Sequence, residues 1–268
     1  MTQVGELQVL PIRDGVGRGA RVANLISPVA GAPDLWTLHP EMRSGEAMIA
    51  LTHGGFVVRA NDRVIVVDTG IGRVNNDVYD CGYFMENLEA AGLRADDVTD
   101  VVLTHLHADH IGWATQKNKP TFPKATYRVH ANDWAYFIGG PGADEYVQRK
   151  LTPLHDRLEL IDGSEVALAP GVDVRLTPGH TPGSTTVVLS SGTARAMLIG
   201  DVAHCPAELT EDQWECAFDV DRAAATSTRA RLAREIEGTD VLIGAPHFPE
   251  LGLGRLLTGT TTRKWTAL

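Results

Sequence analysis

The chain has 268 residues, 43% of them hydrophobic, which is enough for a sizeable core in one large domain or two small ones. Its formal net charge of −10 argues against nucleic acid as a partner, because phosphate binding relies on clustered Lys and Arg. The 3 cysteines match neither a disulfide framework nor a zinc motif of paired cysteines, so the composition favours a reducing, cytoplasmic setting.

Apolar runs separated by turn residues predict many strands with a few helices between them. The predicted strands cover residues 6–10, 56–60, 63–67, 101–104, 126–130, 165–168, 172–177, 185–189, 194–199 and 241–243. The predicted helices cover residues 83–92, 131–138, about 143–160 and 220–236. Asn61-Asp62 is typical of a hairpin turn, and Pro153 interrupts the third helix. After the first strand, the chain is expected to be mostly loop up to residue 50.

A histidine-rich segment follows the predicted strand 101–104. His105, His107, Asp109 and His110 place three imidazoles and a carboxylate within six residues. A divalent metal ion needs several such donors converging on one point at about 2.0–2.2 Å. Extended backbone would put alternate residues on one side, and His110 directly after Asp109 breaks that alternation. We therefore expect the segment to curl and to divide its donors between two metal ions, the alternative being a solvated histidine-rich loop.

Four apolar strands each end within a few residues of a potential metal ligand. These ligands are His105, His180, Asp201 and His247. Side chains that follow strand ends gather along one edge of a sheet, where α/β proteins tend to place their sites. Each of the last three alone is more often structural. Four such positions in one chain favour a common site.

These motifs resemble those of the metallo-β-lactamase superfamily. The matching segments are the His-x-His-x-Asp-His motif at 105–110, Pro178 to Gly183, Gly200-Asp201, Pro246-His247 and, upstream, Asp68-Thr69-Gly70. They extend over roughly residues 55–250. The resemblance implies one domain over residues 1–268 with an α/β fold, an αββα sandwich of two mixed β-sheets flanked by helices.

The resemblance also implies a dinuclear site with two Zn²⁺ ions per chain. The implied ligands are His105, His107 and His180 for the first ion, Asp109, His110 and His247 for the second, and Asp201 as the bridge between both. Asp68 would not bind metal but would brace the histidine segment by hydrogen bonds. A turn-forming role for Asp68 is compatible with this interpretation.

Departures from individual branches of the superfamily narrow the expected function. His107 stands where the iron-binding electron-transfer branch usually has a carboxylate, which favours zinc and hydrolysis. Asp201 stands where the best-known true β-lactamases have a cysteine, although Cys205 lies close in sequence. The segment after His247 is short for the glyoxalase II branch and for branches that process RNA or DNA. Compact lactonases and methyl-parathion-hydrolase-like phosphotriesterases remain, but lactonases usually have a tyrosine where this chain has His204.

We therefore expect a zinc-dependent hydrolase acting on a lactone, a carboxylic ester or a phosphotriester. Two zinc ions about 3.5–4 Å apart lower the pKa of a shared water from about 15.7 toward about 7, which makes a metal-bridging hydroxide the expected nucleophile. Asp109 is the candidate for moving a proton. His204 is the candidate for a hydrogen bond to the oxyanion or leaving group, or else a structural histidine. A β-lactam hydrolase with an unusual ligand set and a non-catalytic, metal-stabilised binding protein remain as alternatives.

The expected partner is a small-molecule substrate, with neither nucleic acid nor membrane. The N-terminal residues lack the basic and apolar regions of a signal peptide, and no apolar run approaches the ~18 residues of a membrane span. The expected location is therefore cytoplasmic. The oligomeric state stays open, with a homodimer slightly favoured by the resemblance.

Some of four aromatic residues are expected to form an apolar wall beside the site or, as the alternative, to bury an oligomer contact. These residues are Trp36, Phe84, Trp113 and Phe137. The remaining histidines that match no ligand position are expected to be structural, and these are His39, His53, His130 and His155. For His53, which precedes Gly54-Gly55, a position near the pocket is the alternative. Substrate selectivity is expected to depend on the loops over residues 20–52, 71–86 and 131–160.

Overall fold

Alternating apolar residues build two large β-sheets in the computed structural model, which describes residues 1–17, 25–40 and 51–268. The strands are β1 (Thr2–Val4), β2 (Leu7–Gly17), β3 (Ile26–Pro28), β4 (Leu51–Ala60), β5 (Arg63–Val67), β6 (Val74–Asn75), β7 (Tyr79–Cys81), β8 (Asp100–Val102), β9 (Thr115–Gln116), β10 (Lys119–Pro120), β11 (Thr126–His130), β12 (Leu158–Ile161), β13 (Glu165–Ala169), β14 (Val172–Leu176), β15 (Thr185–Ser191), β16 (Ala194–Leu198), β17 (Trp214–Cys216), β18 (Leu242–Gly244), β19 (Gly254–Leu257) and β20 (Lys264–Ala267). The α-helices are α1 (Phe84–Ala90), α2 (Ala108–Ile111), α3 (Ala131–Gly139), α4 (Glu145–Leu151), α5 (Ala207–Thr210) and α6 (Arg222–Ile236).

The first sheet has the strand order β12-β11-β8-β5-β4-β2-β7-β6, with β1 paired to β2. It is mixed, because β5, β8, β11 and β12 are parallel neighbours while β4 pairs antiparallel with both β2 and β5. The β4–β5 hairpin turns at Asn61, whose φ of 54° lies in the left-handed region that asparagine tolerates. This confirms the predicted hairpin.

The second sheet has the strand order β13-β14-β15-β16-β18-β19-β20. Antiparallel pairing joins β14 to β15 and β15 to β16, and parallel pairing joins β16 to β18. Strands β14, β16 and β18 therefore run in the same direction, and their carboxyl ends lie at one edge of this sheet. That edge carries three of the seven candidate ligands, His180, Asp201 and His247.

Burial follows the two-residue period of the strands and defines three layers of core. In β4, Phe56 and Val58 pack between the two sheets, whereas Val57 packs against the helices over the first sheet. In β16, Leu198 packs between the sheets and Met197 faces the layer that contains residues of α6. Helices thus cover the outer faces of two mixed sheets, which confirms the expected αββα sandwich.

All ten predicted strands correspond to observed strands, and the four predicted helices exist, the third of them shorter than predicted. The region of the third predicted helix contains three elements. Helix α4 ends at Leu151, a 3₁₀ helix that contains Pro153 follows at Thr152–Arg157, and strand β12 begins at Leu158. The prediction of helix to residue 160 was therefore wrong, because pairing with β11 draws Leu158–Ile161 into the sheet. Strand β2 also extends to Gly17, where loop was expected, and the rest of that loop lies partly outside the described residues.

Among the helices in the described ranges, none is both long enough and apolar enough to cross a membrane. All 3 cysteines, Cys81, Cys205 and Cys216, are buried and free. This agrees with the prediction that they form no disulfide framework.

Candidate metal centre

The histidine segment curls as predicted. It leaves β8, bends at Thr104, His105 and His107, and then forms the short helix α2. His105 and His110 are buried, with ring centroids 3.9 Å apart. The backbone carbonyl of Thr104 accepts a hydrogen bond from the backbone N–H of Thr185 at 2.9 Å, so this segment is tied directly to the second sheet.

The remaining candidate ligands come from the aligned carboxyl ends of β14, β16 and β18. They are His180, Asp201 and His247, respectively, and each is at most 4% exposed. Because β8 belongs to the first sheet, the expectation of a single sheet edge was too simple. The candidate site lies where edges of both sheets meet.

A first group of donors consists of His105, His107, His180 and Asp201, whose ligand atoms all lie within 4.8 Å of one another. His107 Nδ1 is 3.1 Å from His105 Nε2 and 3.0 Å from His180 Nε2. Asp201 Oδ2 is 3.4 Å from His180 Nε2 and 3.7 Å from His105 Nε2. Four donors of this type match the tetrahedral sites that hold zinc.

A second group contains His110, His247 and the other oxygen of Asp201. Asp201 Oδ1 is 3.3 Å from His110 Nε2 and 3.4 Å from His247 Nε2. Asp109 adds a carboxylate, with Oδ2 at 3.3 Å from His247 Nε2 and Oδ1 at 3.9 Å from His110 Nε2. Asp201 therefore faces both groups, with one oxygen toward each.

Buried atoms without hydrogen-bond partners indicate that the cluster suits cations. His110 Nε2 and Asp201 Oδ1 face each other inside the protein, yet neither makes a hydrogen bond. A buried polar atom without a partner lowers the stability of the fold by about 1–3 kcal/mol, and binding of a ligand would remove this loss. The donor set of imidazole nitrogens and carboxylate oxygens fits a divalent metal such as zinc.

The protonation of the cluster reflects burial and the two carboxylates. Burial lowers the pKa of His107 to about 3, which keeps this imidazole neutral and able to ligate. Burial alone would also lower the pKa of His247, but Asp201 and Asp109 raise it to about 9. The positively charged imidazoles hold the pKa of the Asp201 carboxyl well below its usual range despite its burial. The site thus concentrates negative charge that protons or metal ions can balance.

Hydrogen bonds to the outer nitrogens orient three of these imidazoles. Asp68 Oδ2 lies 2.9 Å from His110 Nδ1, Asp219 Oδ1 lies 2.9 Å from His180 Nδ1, and the Thr52 carbonyl lies 2.8 Å from His247 Nδ1. With Nδ1 carrying the proton, each Nε2 is free to bind a metal. Asp219 and Thr52 were not identified from the sequence, because their partners are far away in the chain.

Asp68 braces the histidine segment as expected. Its carboxylate accepts hydrogen bonds from the backbone N–H and the hydroxyl of Thr104, both at 2.8 Å, as well as contacting His110. The carboxylate is fully buried and does not belong to either donor group. Its φ of 60° also agrees with the turn-forming interpretation.

Replacing Asp68 with asparagine is expected to weaken metal binding by about 10–100-fold, the usual cost of losing an outer partner of a metal-binding histidine. The amide keeps the size of the carboxylate but removes the charge that favours the Nδ1 proton of His110. Competition with a chromophoric chelator measures the affinity. Asp62→Asn, an exposed change in the β4–β5 turn, is the control, and equal affinities for both variants would contradict the bracing role.

Asp133 holds two ligand-bearing loops together. Its buried carboxylate accepts hydrogen bonds from the backbone N–H of Leu106 at 3.1 Å and of Gly183 at 2.6 Å. Gly183 lies so close to Asp133 that a Cβ there would approach the Asp133 nitrogen to 2.4 Å. Glycine at this position therefore allows the loop of His180 to meet the loop of His105.

His204 lies at the edge of the first donor group, with Nε2 at 3.2 Å from Asp201 Oδ2. Glu208 accepts hydrogen bonds from the backbone N–H groups of His204 and Cys205, which fixes the start of α5. Arg229 on α6 forms buried ion pairs with Glu208 at 3.3 Å and with Asp219 at 3.5 Å. The sequence alone does not indicate this network, because an arginine in a helix is usually exposed to solvent.

The other histidines differ in their distance from the site. His53 is buried, and its Nδ1 lies 3.4 Å from Asp109 Oδ2, so it belongs to the surroundings of the second group. This agrees with the alternative prediction, based on the following Gly54-Gly55, that His53 lies near the pocket. The others lie away from the cluster: His39 pairs with Glu211, His130 contacts the Gly163 carbonyl, and His155 pairs with Asp156.

The expected aromatic wall is only partly correct. Phe84 and Trp113 belong to the core of the first sheet, and Trp36 packs against Trp214. Phe137 does border the site, with its ring centroid 5.6 Å from that of His107. Phe218, which the sequence analysis did not identify, is 65% exposed and its ring lies 6.4 Å from that of His107. The rings of Phe137 and Phe218 therefore form an apolar surface beside His107.

Comparisons with known proteins agree with this geometry. The family model of the metallo-beta-lactamase superfamily matches residues 55–247. An N-acyl homoserine lactonase of Bacillus thuringiensis subsp. kurstaki is 25% identical over 207 residues, which cover 70% of this chain and 79% of the lactonase.

Two solved structures are also similar. The dizinc quorum-quenching lactonase AidC superposes with a TM-score of 0.85 at 24% identity, over 99% of this chain and 95% of AidC. The hydrolase AbOPH of the beta lactamase superfamily superposes with a TM-score of 0.88 at 22% identity, over 100% of this chain and 96% of AbOPH. At these identities, the two structures show a shared fold.

Proposed function

Because the chain belongs to the metallo-beta-lactamase superfamily, we propose that it is a zinc-dependent hydrolase of small, neutral, ester-like substrates. The observation that carries the proposal is the pair of donor groups that share Asp201, one oxygen facing each. Lactones are the first substrates to test, since a lactonase is among the relatives. Carboxylic esters and phosphotriesters follow, because the motifs also resemble those of methyl-parathion-hydrolase-like phosphotriesterases.

In this proposal, two Zn²⁺ ions bind per chain. The first is held by His105, His107 and His180, the second by Asp109, His110 and His247, and Asp201 is shared by both. When bound, such a pair of ions lowers the pKa of a water, polarises the substrate carbonyl or phosphoryl oxygen and stabilises the leaving oxygen. Metal binding requires neutral imidazoles and ionised carboxylates, so His107 and Asp201 are ready to bind, whereas His247 releases its proton when a metal ion binds.

Two residues of the chain act on the substrate in this proposal. The Asp109 side chain is 25% exposed, in contrast to the buried Asp201, so it can reach both the cluster and an incoming substrate. Asp109 takes up the proton released during attack and delivers it to the leaving group. His204 donates a hydrogen bond from Nε2 to the developing oxyanion or the leaving oxygen, because this atom borders the first donor group.

Charge and shape favour neutral substrates with an apolar part. The net charge of −10 disfavours the approach of anionic substrates. Phe137 and Phe218 offer aromatic surface beside His107 for an acyl chain or an aromatic leaving group. A β-lactam hydrolase is the second candidate. Membership of the metallo-beta-lactamase superfamily is the only observation that favours it.

An activity panel on zinc-loaded protein tests the proposal. The panel contains acyl lactones, aryl esters, a paraoxon-like triester and the β-lactam nitrocefin, each measured before and after removal of metal by a chelator. We expect metal-dependent hydrolysis that is fastest within the first three classes. Hydrolysis of nitrocefin alone would favour the second candidate. Two bound zinc ions without turnover of any substrate would favour a non-catalytic binding protein.

Replacing His204 with alanine is expected to lower kcat by about 10²–10³-fold, the usual effect of removing one oxyanion donor. The two zinc ions of the proposed centre are expected to stay bound, because His204 is not one of their ligands. Steady-state kinetics and elemental analysis measure the two quantities. His155→Ala, at an exposed histidine far from the site, is the control. An unchanged kcat would remove His204 from the mechanism.

A further inference from the structure

A third group of donors lies beside the centre described above. His180, His204 and Cys216 present ligand atoms within 4.8 Å of one another, and all three residues are buried. Cys216 ends β17, and its Sγ is 3.7 Å from His204 Nε2. The proposed hydrolysis does not use Cys216, so its thiol requires a separate explanation.

The spacing of this group fits tetrahedral coordination. With metal–nitrogen bonds of about 2.0–2.1 Å and a metal–sulfur bond of about 2.3 Å, two such ligands of a tetrahedral ion are about 3.3–3.6 Å apart. The observed 3.7 Å between Cys216 Sγ and His204 Nε2 is close to this range. An ion would thus need only a small adjustment of these two side chains.

Local contacts hold Cys216 in this orientation. Its backbone N–H donates to Asp219 Oδ2, and its Sγ accepts from the backbone N–H of Phe218 at 3.4 Å. Asp219 also contacts His180 Nδ1, which leaves His180 Nε2 as the atom that can ligate. The same turn therefore positions both the thiol and one of the imidazoles.

Cys205 provides an internal comparison. It is as buried as Cys216 and belongs to the same small apolar cluster. Within the described residues, however, Cys205 is not part of any potential donor group. Burial in this cluster therefore does not by itself explain why Cys216 faces two imidazoles.

We propose that His180, His204 and Cys216 form an additional position for a thiophilic divalent ion such as Cd²⁺ or Co²⁺. The cysteine binds as a thiolate, and its proton leaves to solvent. One thiolate and two imidazoles together suit soft and borderline divalent ions, zinc included. Because His180 Nε2 has one lone pair, it cannot bind an ion here and in the first donor group simultaneously. An ion at this position therefore withdraws His180 from the proposed zinc centre and occupies His204.

Cobalt loading of the full chain tests this proposal by spectroscopy. Co²⁺ is added stepwise to the metal-free protein, and the near-ultraviolet absorption of sulfur-to-cobalt charge transfer is recorded. We expect this absorption in the wild type and in Cys205→Ser, and its loss in Cys216→Ser. Circular dichroism establishes that the variants are folded. If Cys216→Ser does not fold, the ¹¹³Cd resonance of the wild type reports directly whether one sulfur is bound.

Either of two results would overturn the proposal. One is a wild type without thiolate absorption at any cobalt loading and without a sulfur-bound cadmium resonance. The other is absorption that persists in Cys216→Ser. The inference depends on the proposed zinc centre only through the shared His180. Thiolate absorption in a protein that hydrolyses no ester would contradict the proposed hydrolase while supporting this additional position.

Discussion

Replacing Asp201 with alanine is expected to abolish metal-dependent hydrolysis and to leave less than one tightly bound zinc per chain. The two oxygens of Asp201 face different donor groups, at 3.4 Å from His180 Nε2 and 3.3 Å from His110 Nε2. Loss of an outer partner alone weakens metal binding or activity by about 10–100-fold. Loss of a carboxylate that both groups share should therefore exceed about 100-fold. Elemental analysis after dialysis and kcat/KM for the best substrate measure the effect.

The control for this variant is Asp173→Ala. Asp173 lies on β14, the strand that leads to His180, but it belongs to no donor group in the described residues. This change should leave zinc content and kcat/KM close to those of the wild type. Retention of two zinc ions by Asp201→Ala would contradict the shared role of this carboxylate. Inactivity with full zinc content would instead assign Asp201 to a step after metal binding.

Local patterns in the sequence were sufficient to predict the main parts of the candidate site. The histidine segment carries its own signal, since four donors in six residues cannot all share one side of a strand. His180, Asp201 and His247 were identified because each follows a short apolar strand, and the structure aligns the ends of those strands. These inferences needed only strand periodicity and turn chemistry, both of which act over a few residues.

Contacts between distant segments were beyond such reasoning. The meeting of two sheets at the site depends on the Thr104–Thr185 hydrogen bond and on Asp133, which join loops from different sheets. Strand β12 forms because it pairs in parallel with β11, although helix was predicted as far as residue 160. Cys216 and His204 are also brought together only by the tertiary fold.

The side toward which an aromatic residue points was also not predictable. Phe84 and Phe137 both lie in helices near the site, yet Phe84 is fully buried in the core while Phe137 contacts His107. Helical spacing identifies an apolar face but not which partner covers it. The cytoplasmic location, the homodimer and the single domain remain predictions from the sequence.

Replacing Arg229 with methionine is expected to lower the free energy of unfolding by about 3–5 kcal/mol, the usual cost of breaking a buried ion pair from one side. Arg229 donates to the carbonyl of Val202 at 2.7 Å and to that of Trp214 at 3.0 Å, besides pairing with Glu208 and Asp219. Methionine fills a similar volume but leaves two carboxylates buried without their cation.

For a chain of this size, a loss of about 1 kcal/mol in the free energy of unfolding lowers the melting temperature by about 2–4 °C. The melting temperature of Arg229→Met should therefore fall by about 6–20 °C. Arg229→Lys keeps the charge but loses the planar fork of donors, so an intermediate fall is expected.

Arg222→Met is the matched control, because Arg222 is largely exposed on the same helix and should change stability by no more than about 0.5 kcal/mol. Differential scanning calorimetry of metal-free protein separates this effect from zinc binding. A melting temperature of Arg229→Met equal to that of Arg222→Met would show that Glu208 and Asp219 do not depend on this cation, and the positions of His204 and His180 would then need another support.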